Sequence, residues 1–191
     1  MLASANPKKV AELREILRAD IDLVPRPAEV PDVVEDADTF VGNARLKAAA
    51  LLAATGLASL ADDSGLEVDA IGGAPGVRSA RYAGEDATDA DNVRKLLAAL
   101  ADWPDPIDRR ARFRCVVVLR RPDGSELVAD GTAEGHIALA PRGSGGFGYD
   151  PVFVPDRGDG RTFGEMDQAE KHVISHRGQA LAAFVVQLQT P

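Results

Sequence analysis

Apolar residues recur at helical spacing in four stretches of the chain, and at strand-like spacing between them. The order of the two patterns predicts the architecture. Leu2-Ala3-Ser4 reads as the end of a short strand, followed by a helix opened by Pro7 and capped by Asn6, with Val10, Leu13, Ile16 and Leu17 on one face. Ile21 to Val24 reads as a strand, and the proline-rich, acidic stretch from Pro25 to Asp38 as a loop. An Ala-rich helix is expected from about Thr39 to Thr55, closed by Gly56, with a strand from Leu57 to Ala61 after it. Thr88 or Asp89 caps a third helix that carries Val93, Leu96, Leu97 and Leu100 and stops before Pro104.

The pattern then changes. Arg112 to Arg120 and Glu126 to Leu139 are β-rich runs, and Pro122-Asp123-Gly124 between them is a hairpin turn. Gly143 to Asp150 is a glycine loop, Pro151 to Val154 a short strand, and Ser175 to Gln189 a closing amphipathic helix. Helix–strand alternation combined with a hairpin predicts an α/β fold around a mixed sheet, because a uniformly parallel sheet has no place for that hairpin. With no internal repeat and no long linker, residues 1–191 are expected to form a single domain.

Composition narrows the classes of partner. Hydrophobic residues make up 45% of the 191, enough for a proper core. A net charge of −8 argues against non-specific binding to nucleic acid or to an anionic membrane. No apolar run approaches the roughly 18 residues needed to span a bilayer, and MLASANPKKV lacks the pattern of a signal peptide. The single cysteine, Cys115, lies in the apolar run CVVVL and is expected to be a buried, inert thiol. Together these features predict a cytoplasmic protein.

The most informative segment is LASLADDSGLEVDAIGGAPGVRSARYAGEDA. Here an apolar strand is expected to deliver Asp62 and Asp63 into a Ser64-Gly65 turn. Adjacent carboxylates repel, so holding both calls for a cation, and oxygen donors without a Cys or His cluster suit a hard ion such as Mg²⁺. The same four residues are also ordinary turn chemistry. Glu35, Asp36 and Asp38 precede the second helix and offer a third carboxylate, while Lys47 on that helix would by itself be an ordinary exposed lysine.

Three further segments suggest a ligand. Ser4, Asn6, Lys8 and Lys9 lie at a strand-to-helix junction, where free N–H groups and the helix dipole attract phosphate; a capped helix with solvated lysines is the plainer alternative. GSGGFG matches the dinucleotide fingerprint by letter through Gly143, Gly145 and Gly148. However, Tyr149-Asp150-Pro151 follows where that fingerprint needs a long helix. Phe147, Tyr149 and Asp150 instead suggest an aromatic wall beside a hydrogen-bonding carboxylate. In EKHVISHRGQAL, Lys171, His176 and Arg177 gather around the start of the last helix, where cations oppose the dipole and call for an anion. His172 and His136 carry no such signal.

LASANPKKVAEL, TFVGNARLKA, ADDSGLEVDAIGGAPGVRSARY, GGFGYDPVF and EKHVISHRGQAL, in this order over nearly the whole chain, resemble the inosine triphosphatase-like family of noncanonical purine nucleoside triphosphate pyrophosphatases. The resemblance implies hydrolysis of ITP, dITP and XTP to the monophosphate and pyrophosphate, a Mg²⁺ cofactor, a homodimer, and an elongated two-lobed α/β fold around a curved mixed sheet with flanking helices. Carried over by position, Asp63 is the proton acceptor and a metal ligand, Glu35 is the other metal carboxylate, and Ser64 contacts substrate. Ser4, Ala5, Asn6, Pro7, Lys8 and Lys9 form the phosphate-binding segment. Lys47 and Lys171 are further triphosphate contacts, and Phe147, Gly148, Tyr149 and Asp150 with His176 and Arg177 recognise the base. Three departures stand out: Ser4-Ala5-Asn6 replaces the usual T-G-N, Gly42 stands where an acidic residue often precedes Asn43, and the first strand is short.

The chemistry implied is consistent with the charge balance. A triphosphate carries about four negative charges, so an acidic protein needs a metal ion and a local basic cradle, here Lys9, Lys47, Lys171 and Arg177. A donor aimed at the 6-oxo group, from main-chain amides of 147–150 or from His176-Arg177, would reject adenine. The alternatives are a pyrophosphatase for other modified nucleotides and a non-catalytic nucleotide-sensing module.

Overall fold

Pro7 opens helix α1 (Pro7–Leu17), and Asn6 caps it by accepting the main-chain N–H of Lys8 at 3.0 Å and of Lys9 at 3.3 Å. The structure is a computed structural model that describes residues 1–3, 6–17 and 21–189; Ser4 and Ala5 lie outside the described residues. Helix α2 (Phe40–Thr55) begins at Thr39, whose hydroxyl accepts the Gly42 N–H, and ends at Gly56 with φ 67°. That left-handed turn costs a glycine little. Helix α3 (Asp89–Ala99) starts on a reciprocal cap between Thr88 and Asp91.

Strands β1 (Ser59–Val68), β2 (Arg110–Arg120), β3 (Glu126–Ile137) and β4 (Phe153–Pro155) form one antiparallel sheet in that order. β3 pairs with β4 through Gly135–Pro155, His136–Val154 and Ile137–Phe153. A Cβ at residue 135 would lie 2.2 Å from the Val154 carbonyl oxygen, so this approach requires glycine. Leu2 adds the parallel element, bridging Pro25 and Leu60. The fold is α/β, as the patterning predicts. Helices α4 (Gln168–Ile174) and α5 (His176–Gln189) close the chain.

Three boundary expectations need correction. The strand expected over Ile21–Val24 is a single bridge: the Leu2 N–H reaches the Val24 carbonyl, but Pro25 has no N–H to continue a ladder. The strand expected to end at Ala61 runs on to Val68, so Asp62-Asp63-Ser64-Gly65 is mid-strand and not a turn. The short strand begins at Phe153, after a 3₁₀ turn over Asp150–Val152. The closing helix stands where it was expected, at His176–Gln189, and a further short helix, α4, precedes it across Ser175 in extended conformation.

The chain divides into two units, residues 1–63, 115–131 and 177–191 in one, residues 64–114 and 132–176 in the other. The first has a core of Leu2, Leu13, Leu17, Leu60, Val117 and Phe184, among others; the second centres on Leu66, Leu96, Phe113, Phe153 and Phe163. Cys115 is fully buried in the first core, and burial pushes its thiol up to about 12, which makes it inert as expected. No helix among the described residues is long and apolar enough to cross a membrane.

Candidate active site

Successive side chains of a strand point to opposite faces, and β1 carries Asp62 and Asp63 through its middle. Asp62 meets α1 and α5: its Oδ2 lies 3.4 Å from Lys9 Nζ and 3.7 Å from Arg177 Nη2. Asp63 meets α2: Asn43 Nδ2 donates to its Oδ2 at 3.2 Å and Lys47 Nζ to its Oδ1 at 3.1 Å. The sequence suggested one cation shared by two crowded carboxylates. The extended backbone removes that crowding by sending the acids to different partners, Asp62 to Lys9 and Arg177 and Asp63 to Asn43 and Lys47, although Lys9 and Lys47 are close enough to act on both.

The two environments push the acids in opposite directions. Burial raises the Asp62 carboxyl, but Lys9, Arg177 and Lys47 outweigh it and bring it down to about 2. Asp63 is raised above the ordinary carboxylate range, first by burial and then by Glu35, with Lys47 and Lys9 opposing. Burial pulls Lys47 down, yet Asp63, Asp62 and Glu35 prevail and hold it above its ordinary value. One acid is therefore locked as an anion, and its neighbour is adjusted toward accepting a proton.

Lys47 Nζ also lies 3.1 Å from Glu35 Oε2, so one ammonium is shared by Glu35 and Asp63. No group of three or more Cys, His, Asp or Glu side chains that could hold a metal occurs among the described residues. A hard divalent ion in a nucleotide site commonly takes only one or two carboxylates, with water and phosphate oxygens supplying the rest. Glu35 and Asp63 meet that requirement, with an ammonium already accommodated between them.

Arg177 is fully buried and pairs with Glu12 as well as Asp62. The anions that the helix start was expected to attract include these two protein carboxylates. Burial lowers the Arg177 pKa, but Asp62, Cys115 and Glu12 together raise it above the ordinary value. Glu12 was not legible as a site residue; its one signal is an acid flanked by the apolar positions of α1. Asn43 was also missed, although an asparagine inside a helix, four residues before Lys47, is a poor helix former that calls for a reason. Pro7 and Lys8 are exposed at the start of α1.

In the second unit, Lys171 and Asp150 form a buried pair at 2.7 Å, and Asp150 Oδ2 also accepts the Phe147 N–H at 2.8 Å. The Lys171 ammonium lies 5.0 Å from the Phe147 ring centroid. The Gly148 N–H donates to Asp89 at 2.9 Å, and the Tyr149 hydroxyl to the Ser79 carbonyl at 2.9 Å. Thus the Phe147 and Gly148 amides, offered from sequence as readers of a 6-oxo group, are held by carboxylates. A ligand using them must displace Asp150 or Asp89. His176 stacks on Phe113 with centroids 4.6 Å apart, and Ser64 is half-buried on β1. Gly146, with φ 71°, passes so close to Asp150 that a Cβ would sit 2.0 Å from its Oδ2.

The comparisons agree with one another. The sequence profile of the Ham1 family matches residues 1–187. A dITP/XTP pyrophosphatase of Coxiella burnetii is 50% identical over 186 residues, covering 95% of this chain and 92% of its own. One from Streptomyces coelicolor is 49% identical over 191 residues, covering 97% and 94%. Among solved structures, a HAM1 protein from Coxiella burnetii superposes with a TM-score of 0.90 at 46% identity, covering 100% of this chain and 98% of that one. A nucleoside-triphosphatase / dITP/XTP pyrophosphatase from Mycobacterium abscessus gives 0.75 at 46% identity, with 98% of each chain covered. Sequence and fold match end to end, and the chain belongs to the Ham1 family.

Proposed function

We propose that this protein hydrolyses noncanonical purine nucleoside triphosphates, dITP, ITP and XTP, to the monophosphate and pyrophosphate. The observation that carries the proposal is the divergence of Asp62 and Asp63, set beside relatives of about 50% identity that are named dITP/XTP pyrophosphatases. A raised carboxyl held by an amide and an ammonium is suited to take a proton from water at the moment of attack. Asp63 has that role here. Asp62, locked as an anion, holds Lys9 and Arg177 in place. Lys9 and Lys47 neutralise phosphate charge, and the start of α1, including Asn6, Pro7 and Lys8, adds main-chain dipoles.

Glu35 and Asp63 would hold the divalent ion, for which we propose Mg²⁺; bound there, it supplies charge neutralisation at the phosphates. In the second unit, Lys171, anchored by Asp150 beside the Phe147 ring, Tyr149 fixed on Ser79, and His176 on Phe113 supply a rigid surface for substrate recognition. We further propose that residues 1–191 act as one catalytic domain, that the protein is a homodimer, and that it works on the cytoplasmic nucleotide pool.

The test is pyrophosphate release from a panel of nucleoside triphosphates with Mg²⁺, together with Asp63→Asn. dITP, ITP and XTP are expected to turn over at least about a hundredfold faster than ATP or GTP. Asp63→Asn is expected to abolish turnover while leaving nucleotide affinity within a few-fold of wild type. Retention of most activity by Asp63→Asn would remove it from the base role. Nucleotide binding without pyrophosphate release in the wild type would make the chain a sensor.

A further inference from the structure

Helix α2 presents Asn43 and Lys47 one turn apart, and between them they hold both oxygens of Asp63, Asn43 on Oδ2 at 3.2 Å and Lys47 on Oδ1 at 3.1 Å. The two contacts differ in kind. Asn43 is neutral and fully buried, and its other end accepts the Ala37 N–H at 3.0 Å. A main-chain N–H needs an oxygen acceptor, so this bond fixes the amide with its NH₂ toward Asp63. Ala37 stands two residues beyond Glu35. One buried side chain therefore ties the segment carrying Glu35 to the strand carrying Asp63.

Lys47 reaches the same two acids on a flexible stem, its ammonium 3.1 Å from Glu35 Oε2 and 3.1 Å from Asp63 Oδ1. An ammonium and a divalent ion cannot both occupy short contacts to those oxygens without strong mutual repulsion. Resting on the reading of Glu35 and Asp63 as the metal pair, we infer that Lys47 is a place-holder. It offsets one of the two carboxylate charges in the metal-free enzyme, competes with the divalent ion for both groups, and once displaced is available to the polyphosphate. Asn43 stays bonded throughout and keeps Asp63 aimed. Metal and nucleotide then favour each other's binding through one lysine, since each gains from the ammonium's move.

The two residues must therefore act oppositely on one measurement that involves no turnover. Mn²⁺ binding to the full-length, nucleotide-free protein is measured by calorimetry and by the electron paramagnetic resonance of the free ion, with circular dichroism confirming the fold of each variant. Lys47→Gln, and Lys47→Met without donors, are expected to bind Mn²⁺ about tenfold more tightly than wild type. Asn43→Ala, and the milder Asn43→Ser, are expected to bind it about tenfold more weakly. Glu35→Gln is expected to lose the site. Folded Lys47 variants with unchanged or weaker Mn²⁺ binding, while Glu35→Gln still abolishes it, would overturn the place-holder and leave the metal pair standing. Wild-type binding that survives Glu35→Gln, or no binding in any variant, would overturn both.

Discussion

Asp62 and Asp63 are neighbours in sequence, yet of the two replacements by asparagine only that of Asp62 is expected to cost stability. Asp62 has its carboxyl lowered from 3.8 to about 2 by Lys9, Arg177 and Lys47 acting against burial. A group depressed in the folded state stabilises the fold above its unfolded value and loses that contribution as pH falls through the folded one. The fall corresponds to roughly 2–3 kcal/mol at neutral pH, lost between about pH 4 and pH 2. The side chain is 1% exposed, so solvent screening takes little of this away. Asp62→Asn should therefore cost roughly 2–3 kcal/mol at pH 7, because Arg177 keeps Glu12 but loses its second anion. Asp63 is raised, so its ionised form is disfavoured by folding. Its contribution is present below the ordinary carboxylate value and is lost as pH rises through the folded one. Asp63→Asn, which keeps a hydrogen-bonding group of the same size, should leave stability unchanged or increase it. The assay is urea unfolding of both variants and wild type at pH 7 in chelator, with wild type repeated down to pH 2. An Asp62→Asn loss below about 0.5 kcal/mol, or an Asp63→Asn loss larger than that of Asp62→Asn, would refute the reasoning.

Two further predictions concern the second unit. Lys171→Met strands Asp150 as a buried charge and should cost about 3–5 kcal/mol in urea unfolding; adding Asp150→Asn should recover part of that loss, and a purely additive double variant would argue against the pairing. Gly146→Ala forces a Cβ onto Asp150 at a left-handed backbone position, and should raise the dITP KM about tenfold while leaving metal affinity unchanged; an unaltered KM would count against Asp150 as part of the substrate surface.

Much of the fold was legible because its signals are local. Asn6, Thr39 and Thr88 mark helix starts through side chains that reach only two or three residues, Gly56 closes α2 through its main-chain N–H, and each stands where the pattern put it; the return bond from Thr88 N–H to Asp91 was not anticipated. The hairpin between β2 and β3 was equally clear, since Pro122-Asp123-Gly124 needs no distant partner. The misses depend on distant partners. Ile21–Val24 has strand composition, but a lone bridge to Leu2 is all that a following proline permits. β1 runs through Ser64-Gly65 because tertiary pairing overrode a local turn preference: the Leu66 N–H donates to the Ser79 hydroxyl, thirteen residues on.

That override explains why the candidate site was only half readable. The residue types were visible: acids for a hard ion, lysines for phosphate, an aromatic beside a carboxylate. Their division of labour was not, because it follows from which face of β1 each acid occupies, and a turn has no faces. Once the strand continues, alternation sends Asp62 toward Lys9 and Arg177 and Asp63 toward Asn43 and Lys47. The same geometry accounts for the two residues that motif logic overlooked. Glu12 lies 165 positions from Arg177 and Asn43 lies 20 from Asp63, so neither pairing leaves a trace in local spacing. Each nevertheless holds a group that motif logic did single out. Without Glu12 the buried Arg177 would lose one of its carboxylate partners, and without Asn43 the raised Asp63 would lose the amide that holds its Oδ2. The pair Glu12 and Asn43 therefore does for orientation what Lys9 and Lys47 do for charge, which is why the chemistry of the site depends on residues that need never touch a substrate.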